Sequence, residues 1–111
     1  MPDMSKPIQS LDVTSPFDGS LIETISLRSQ DEAIAMLETA RTRYLDRDGW
    51  LAPHERIAIL VKLASLVEVE AADFAMLIAR EGGKPLADAK VEVARAIDGI
   101  LLATKELSHI V

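Results

Sequence analysis

Residues 91–103 read VEVARAIDGILLA, the segment whose pattern says most about the architecture of this chain. On a helix its apolar side chains would point in almost every direction around the axis. They are Val91, Val93, Ala94, Ala96, Ile97, Ile100, Leu101, Leu102 and Ala103. A helix that is apolar on every side needs neighbours on several sides. Aromatic residues make up only 4% of the chain, so large covering side chains are scarce. We therefore predict a helix from about Leu86 to Leu107 in a fold that needs further apolar surface.

The segment Gly82-Gly83-Lys84-Pro85 lies just before this helix and predicts the end of a preceding one. A left-handed glycine commonly follows the last turn of a helix, and the fixed φ of proline reinforces the stop. A phosphate-binding loop is a competing interpretation of the same segment. It is disfavoured because such a loop carries an earlier glycine and a Ser or Thr after the lysine.

Further signals upstream predict where other helices begin and break. Ser29 and Glu32 have the spacing of a capping box, and Pro53 suits the first turn of a helix. The charged segment 68–73 predicts a kink or a short break before the apolar period resumes at Phe74. Together with the last helix, these signals predict about four helices.

The helix that begins at Pro53 has a wide apolar side. Its stripe consists of Ile57, Leu60, Ala64 and Val67. Leu63 and Leu66 widen this stripe, which predicts a helix that approaches full burial.

Residues 15–20, SPFDGS, predict a turn because proline can preset its first position and Gly19 can adopt a positive φ. Apolar residues at 11–13 and 21–27 predict two strands that form a β-hairpin with this turn. Residues 1–10 contain two prolines and no usable period, which predicts an extended lead-in. The fold class is therefore mainly α with an N-terminal β-hairpin, and residues 11–111 form the hairpin and helical segment.

The composition restricts partners and compartment. Twelve Lys and Arg stand against 18 Asp and Glu, a formal charge of -6, which disfavours nucleic acid and anionic membranes as partners. The chain has no cysteine, so a thiol nucleophile, a zinc–thiolate site and a disulfide are excluded within it. No secretory signal is recognisable at the N-terminus, which predicts a cytoplasmic location.

The two histidines, His54 and His109, are candidates for metal binding or acid–base chemistry. Neither has a carboxylate or a second histidine at a metal-ligand spacing. We interpret both as solvated side chains, and we predict no metal site.

Four blocks of the sequence together resemble the aldehyde dehydrogenase family. They are SPFDGSLI at 15–22, GW at 49–50 followed by PHERIAIL at 53–60, AREGGKPLADA at 79–89, and EVARAID at 92–98. The blocks follow the order and approximate spacing of the family, and the resemblance covers Leu11 to Leu107. Gly82 stands where the family usually has threonine, a departure that could loosen the end of the helix.

The resemblance implies an α/β enzyme that oxidises an aldehyde to a carboxylic acid with NAD or NADP. In the family a cysteine thiolate attacks the aldehyde, hydride passes to NAD(P), a glutamate assists thioester hydrolysis, and an asparagine amide helps to hold the oxyanion. These groups and the cofactor site lie beyond the region matched here. The resemblance therefore assigns no catalytic or cofactor-binding residue to this chain, and the absence of cysteine agrees.

The chain is thus expected to be an N-terminal fragment that is inactive alone and binds no NAD(P) itself. Its expected partners are the remainder of the enzyme, or further copies of itself, through exposed apolar helices. The alternative is a free-standing helical interaction module derived from such an enzyme. A reading frame that continues to a nucleophilic cysteine would support the fragment, and a genuine stop codon would support the module.

Arg95 is the one residue to which the resemblance gives a substrate role, with Val91 beside it. In the family this helix lines the substrate funnel, and members that act on anionic aldehydes resemble this chain in having an arginine there. A guanidinium suits phosphate or carboxylate because its rigid fork binds two oxygens and stays charged. The competing interpretation is a surface ion pair with Glu92 or Asp98, each one helical turn away.

Overall fold

A computed structural model describes residues 9–110 of the chain. Within this range the chain divides into two compact units. The first unit comprises residues 9–14 and 19–50, and the second comprises residues 15–18 and 51–110. The predicted lead-in falls largely on residues 1–8, which lie outside the described residues.

The first unit begins with the predicted hairpin. Strand β1, Ser10–Thr14, pairs antiparallel with strand β2, Leu21–Ser26, in a register that shifts between Val13 and Thr14. The hydroxyl of Thr24 donates to the Asp12 carboxylate across the strands, with the oxygens 2.7 Å apart. Gly19 has a φ of 73°, so it supplies the left-handed residue that the turn requires.

Helix α1, Gln30–Leu45, begins at the predicted capping box. The backbone N–H of Glu32 donates to Ser29 Oγ over 3.1 Å, and the Ser29 N–H donates to Glu32 Oε2 over 2.8 Å. The bond from the Ser29 N–H, assisted by the charge of Arg28, holds the pKa of Glu32 below its usual value. The capping contribution is therefore present at neutral pH and is lost as the pH falls through that lowered pKa.

A 3₁₀ turn, Arg47–Gly49, lies near the end of the first unit, and its Arg47 forms cation–π contacts with Tyr44 and Trp50. The guanidinium carbon of Arg47 lies 4.4 Å from the ring centre of Tyr44 and 4.2 Å from that of Trp50. The indole N–H of Trp50 donates to the Arg43 carbonyl over 3.1 Å. These contacts hold the turn that follows the end of α1.

The second unit contains three helices. They are α2, Pro53–Val69; α3, Ala71–Gly82; and α4, Leu86–His109. Pro53 occupies the first turn of α2, where Glu55 Oε2 accepts a hydrogen bond from the Ala52 N–H over 2.8 Å. The predicted break falls at Glu70, between α2 and α3. Gly83 ends α3 in the left-handed conformation, with a φ of 65°.

The core of the second unit is made of small side chains. Among residues 9–110 the buried hydrophobic residues are Ala64, Ala75, Ala89 and Val93. Ala75 and Ala89, with Val93, form a cluster that Ile78, Ile97 and their neighbours partly cover. Alanines let helix backbones approach closely, but they remove little apolar area from water. The three helices are therefore packed in contact while much of their larger apolar surface stays outside.

The prediction that α2 approaches full burial is wrong for this chain. Ala64 is buried, and Ile57, Leu60 and Val67 are partly buried. Leu63 and Leu66, however, remain 42% and 49% exposed. They lie on the side of α2 that neither α3 nor α4 covers, because those two helices pack along the Ala64 stripe.

We predict opposite effects for alanine at two glycines of the second unit. In Gly83→Ala the new Cβ would lie 3.0 Å from Pro16 Cγ at a φ of 65°, and a left-handed residue with a side chain costs about 1–2 kcal/mol. Gly99 lies within α4 with nothing near its Cβ position, so Gly99→Ala should stabilise by roughly 0.5–1 kcal/mol. Urea unfolding followed by circular dichroism measures both changes. Equal stabilities for the two variants would contradict the assignment of Gly83 as an obligatory left-handed stop.

Candidate functional site

The structure places the two predicted substrate residues on one outward face of α4. Val91 and Arg95 are one helical turn apart, and both are exposed, Val91 by 48%. The buried residues of the same helix, Ala89 and Val93, belong to the stripe that faces the core. Arg95 and Val91 are therefore available to a molecule that approaches from outside this unit.

The charged side chains near Arg95 do not form the surface ion pair that was the competing interpretation. The carboxylate of Glu92 contacts the ammonium of Lys84, in the loop before α4. Among residues 9–110, Arg95 forms no salt bridge and no side-chain hydrogen bond, with either Glu92 or Asp98. The guanidinium thus remains uncompensated by its neighbours on the helix.

The loop at Gly82–Pro85 does not fit a dinucleotide phosphate. Gly83 follows the C-terminal end of α3, and its N–H donates to the Ala79 carbonyl over 3.0 Å. Its N–H is therefore not free to bind a phosphate oxygen, and a helix C-terminus presents carbonyl oxygens with partial negative charge. The side chain of Lys84 is held by Glu92. This loop therefore acts as the predicted helix stop.

The histidines occupy positions that suit solvated side chains. His54 lies exposed in the first turn of α2, and His109 lies exposed in the last turn of α4. Within residues 9–110 no group of three His, Cys, Asp or Glu residues is placed to hold a metal ion. No helix in this same range is long and apolar enough to cross a membrane.

Two apolar surfaces of the second unit lack a covering element within the described chain. One is the outward face of α4, where Leu101 and Leu102 are 38% and 57% exposed. The other, which we call the α2 patch, is lined by Ala58, Ile59, Lys62, Leu63 and Leu66. The sequence predicted the first of these from the apolar residues on every side of α4. It did not predict the second, because a wide stripe on α2 also suits a buried helix.

Comparison with known proteins identifies the family to which this chain belongs. The sequence model described as the aldehyde dehydrogenase family matches residues 4–111. The chain belongs to the aldehyde dehydrogenase family. Its hairpin and helices correspond to the N-terminal segment of that family, as the four sequence blocks predicted.

Individual relatives support the same assignment. Aspartate-semialdehyde dehydrogenase 1 of Pseudomonas canavaninivorans is 35% identical over 96 residues, which is 86% of this chain and 20% of that protein. Lactaldehyde dehydrogenase of Methanocaldococcus jannaschii is 30% identical over 95 residues, 86% of this chain and 20% of that protein. The crystal structure of glyceraldehyde-3-phosphate dehydrogenase GapN from Methanocaldococcus jannaschii, complexed with NADP, superposes with a TM-score of 0.77 and 29% identity. It covers 85% of this chain and 20% of that one.

The chain therefore spans about a fifth, 20%, of the length of each of these three relatives. Its fold is the mainly helical segment with an N-terminal hairpin, as predicted, and the structural neighbour is an aldehyde dehydrogenase.

The contact between Lys84 and Glu92 is the feature that sequence reasoning missed. The two residues are eight positions apart across a helix junction, so helical spacing gave no signal for their pairing.

We predict that the isolated 111-residue chain binds a hydrophobic dye or self-associates, because both apolar surfaces lack a cover. Anilinonaphthalene fluorescence and light scattering measure these properties. Leu63→Gln combined with Leu66→Gln should reduce dye binding, whereas Glu68→Gln, on the same helix, should leave it unchanged. A monodisperse monomer without dye binding would contradict the prediction.

Proposed function

We propose that this chain is the N-terminal segment of an NAD(P)-dependent aldehyde dehydrogenase that oxidises an aldehyde to a carboxylic acid. The observation that carries the proposal is the match to the family over residues 4–111. The exposed apolar surfaces support it, because a segment of a larger enzyme must present surface to the rest of that enzyme. The longer protein would act in the cytoplasm.

The part of this segment in that enzyme is to bind and orient substrate, not to perform the chemistry. The chain contains no cysteine to serve as the nucleophile, and the Gly82–Pro85 loop is unsuited to a dinucleotide. When bound in the longer enzyme, NAD(P) would accept the hydride that the aldehyde loses. The nucleophile, the base and the cofactor site would all be supplied from outside these 111 residues.

We assign substrate binding to Arg95 and Val91, with an anionic aldehyde as the substrate class. The support is geometric: Arg95 is exposed on the outward face of α4 and makes no ion pair among residues 9–110. Its guanidinium can donate two hydrogen bonds to a carboxylate or phosphate, while Val91 offers apolar contact one turn away. Two relatives are named for aldehydes that carry an anionic group, the carboxylate of aspartate semialdehyde and the phosphate of glyceraldehyde 3-phosphate, and a third is named for the neutral lactaldehyde.

A second candidate function is a free-standing helical interaction module derived from such an enzyme. The exposed α2 patch and the outward face of α4 favour it as well, since both could bind another protein or another copy of the chain. The source genome distinguishes the two candidates. A reading frame that continues to a cysteine-containing catalytic domain supports the enzyme segment, and a verified stop codon after Val111 supports the module.

We predict that the purified chain does not reduce NAD⁺ or NADP⁺ in the presence of an aldehyde. It lacks a thiol to form the thiohemiacetal, and it lacks a suitable cofactor loop. Absorbance at the NAD(P)H band measures turnover, and calorimetry with each dinucleotide measures binding. Turnover that persists through repurification would contradict this prediction.

We predict that Arg95→Leu in the longer enzyme selectively impairs the use of an anionic aldehyde. Losing one charged hydrogen bond of ~1.5–3 kcal/mol should lower kcat/KM by about ten- to a hundredfold. A neutral aldehyde should be oxidised nearly as before. The control is Arg80→Leu, which removes the same charge from an exposed position on α3.

Steady-state kinetics with a matched pair of charged and neutral substrates tests the assignment. Equal losses on both substrates, or no loss on either, would remove Arg95 from the substrate site.

A further inference from the structure

Lys84 lies in the loop between α3 and α4, and its ammonium contacts the carboxylate of Glu92. We propose that Lys84 is a positioning residue that holds Glu92 and so keeps the guanidinium of Arg95 available to the anionic group of an aldehyde. The proposal rests on the substrate role proposed for Arg95. Lys84 itself would not contact the substrate, but by pairing with Glu92 it would keep that carboxylate from neutralising Arg95.

The backbone on both sides of Lys84 is constrained, which fixes where its side chain begins. Gly83 is left-handed, and its Cβ position would lie 3.0 Å from Pro16 Cγ. On the other side Pro85 caps α4, and its carbonyl accepts from the Ala89 N–H over 3.1 Å. Lys84 therefore starts from a defined point, and its side chain is 35% exposed.

Glu92 has two cations within reach, and in the structure its carboxylate contacts only one of them, Lys84, among residues 9–110. Glu92 and Arg95 have the spacing at which helical side chains pair. Side chains on a helix lean towards its N-terminus, so Glu92 leans towards the loop that carries Lys84, and Arg95 leans towards Glu92. The contact with Lys84 engages the carboxylate there. Asp98, on the other side of Arg95, makes no bond to it among residues 9–110 either.

Removing Lys84 would change the charge that a substrate meets. Glu92 would lose its partner, and its unpaired carboxylate would be free to pair with Arg95, one helical turn away. A free carboxylate about 6 Å away would compete with a substrate anion and weaken its binding about three- to tenfold at a partly solvated site. The effect should appear in KM for the anionic substrate, while kcat should change little because Lys84 does not touch the reacting group.

The Arg95 Nε–Hε resonance in the ¹⁵N–¹H spectrum of the 111-residue chain tests the pairing directly. In the wild-type background Glu92→Gln should leave this resonance in place. Lys84→Met should shift it, and Lys84→Met combined with Glu92→Gln should return it. Lys90→Met, which removes the same charge from an exposed position on α4, is the matched control and should cause no shift. An unmoved resonance in Lys84→Met, or an equal shift in Lys90→Met, would overturn the proposal.

Kinetics of the longer enzyme test the consequence for substrate. Lys84→Met should raise KM for an anionic aldehyde about three- to tenfold, spare a neutral aldehyde, and be rescued by adding Glu92→Gln. A selective loss in Arg95→Leu without one in Lys84→Met would overturn the inference about Lys84 alone. Equal losses on both substrates in Arg95→Leu would overturn the substrate role of Arg95, and this inference with it.

Discussion

The second unit is held together by the packing of one apolar helix, α4, against α2 and α3 through alanine side chains. Ala89 of α4 and Ala75 of α3 are completely buried, and Ala64 of α2 is 3% exposed. Small side chains bring the helices together, yet each contributes little hydrophobic stabilisation because its apolar area is small. A unit assembled in this way leaves its larger apolar side chains available for other contacts. The exposed α2 patch and the outward face of α4 are the consequence.

The same packing creates the candidate site. Because the stripe that contains Ala89 and Val93 faces inward, the residues half a turn away face outward, and Arg95 is among them. The loop at Gly83 then brings Lys84 to Glu92, on the flank of this outward face. The helix stop at Gly83 thus places Lys84 beside Glu92, and Arg95 lies one helical turn after Glu92. The substrate role proposed for Arg95 therefore depends on the packing of α4 and on the loop at Gly83, neither of which would contact the substrate.

Much of this fold could be predicted from the sequence because its boundaries are coded locally. The capping box at Ser29, Pro53 in a first turn and the left-handed stop at Gly83 each depend on a few adjacent residues. The burial of α2 could not be predicted from its own pattern, because Leu63 and Leu66 suit a buried helix whether or not a partner is present. The contact between Lys84 and Glu92 was missed for a related reason, since it depends on how a loop directs a side chain across a helix junction.

Thiol accessibility at Leu66 most directly tests the proposal that the apolar surface of the second unit is covered in a longer protein. The chain has no cysteine, so Leu66→Cys introduces the first thiol in this segment, at a position that is 49% exposed. Mass spectrometry of the labelled peptide gives its alkylation rate in the 111-residue chain and in the longer protein, with Glu68→Cys as an exposed control. We expect rapid labelling at both positions in the short chain and selective protection of position 66 in the longer protein. Equal labelling of position 66 in both contexts would contradict the proposal.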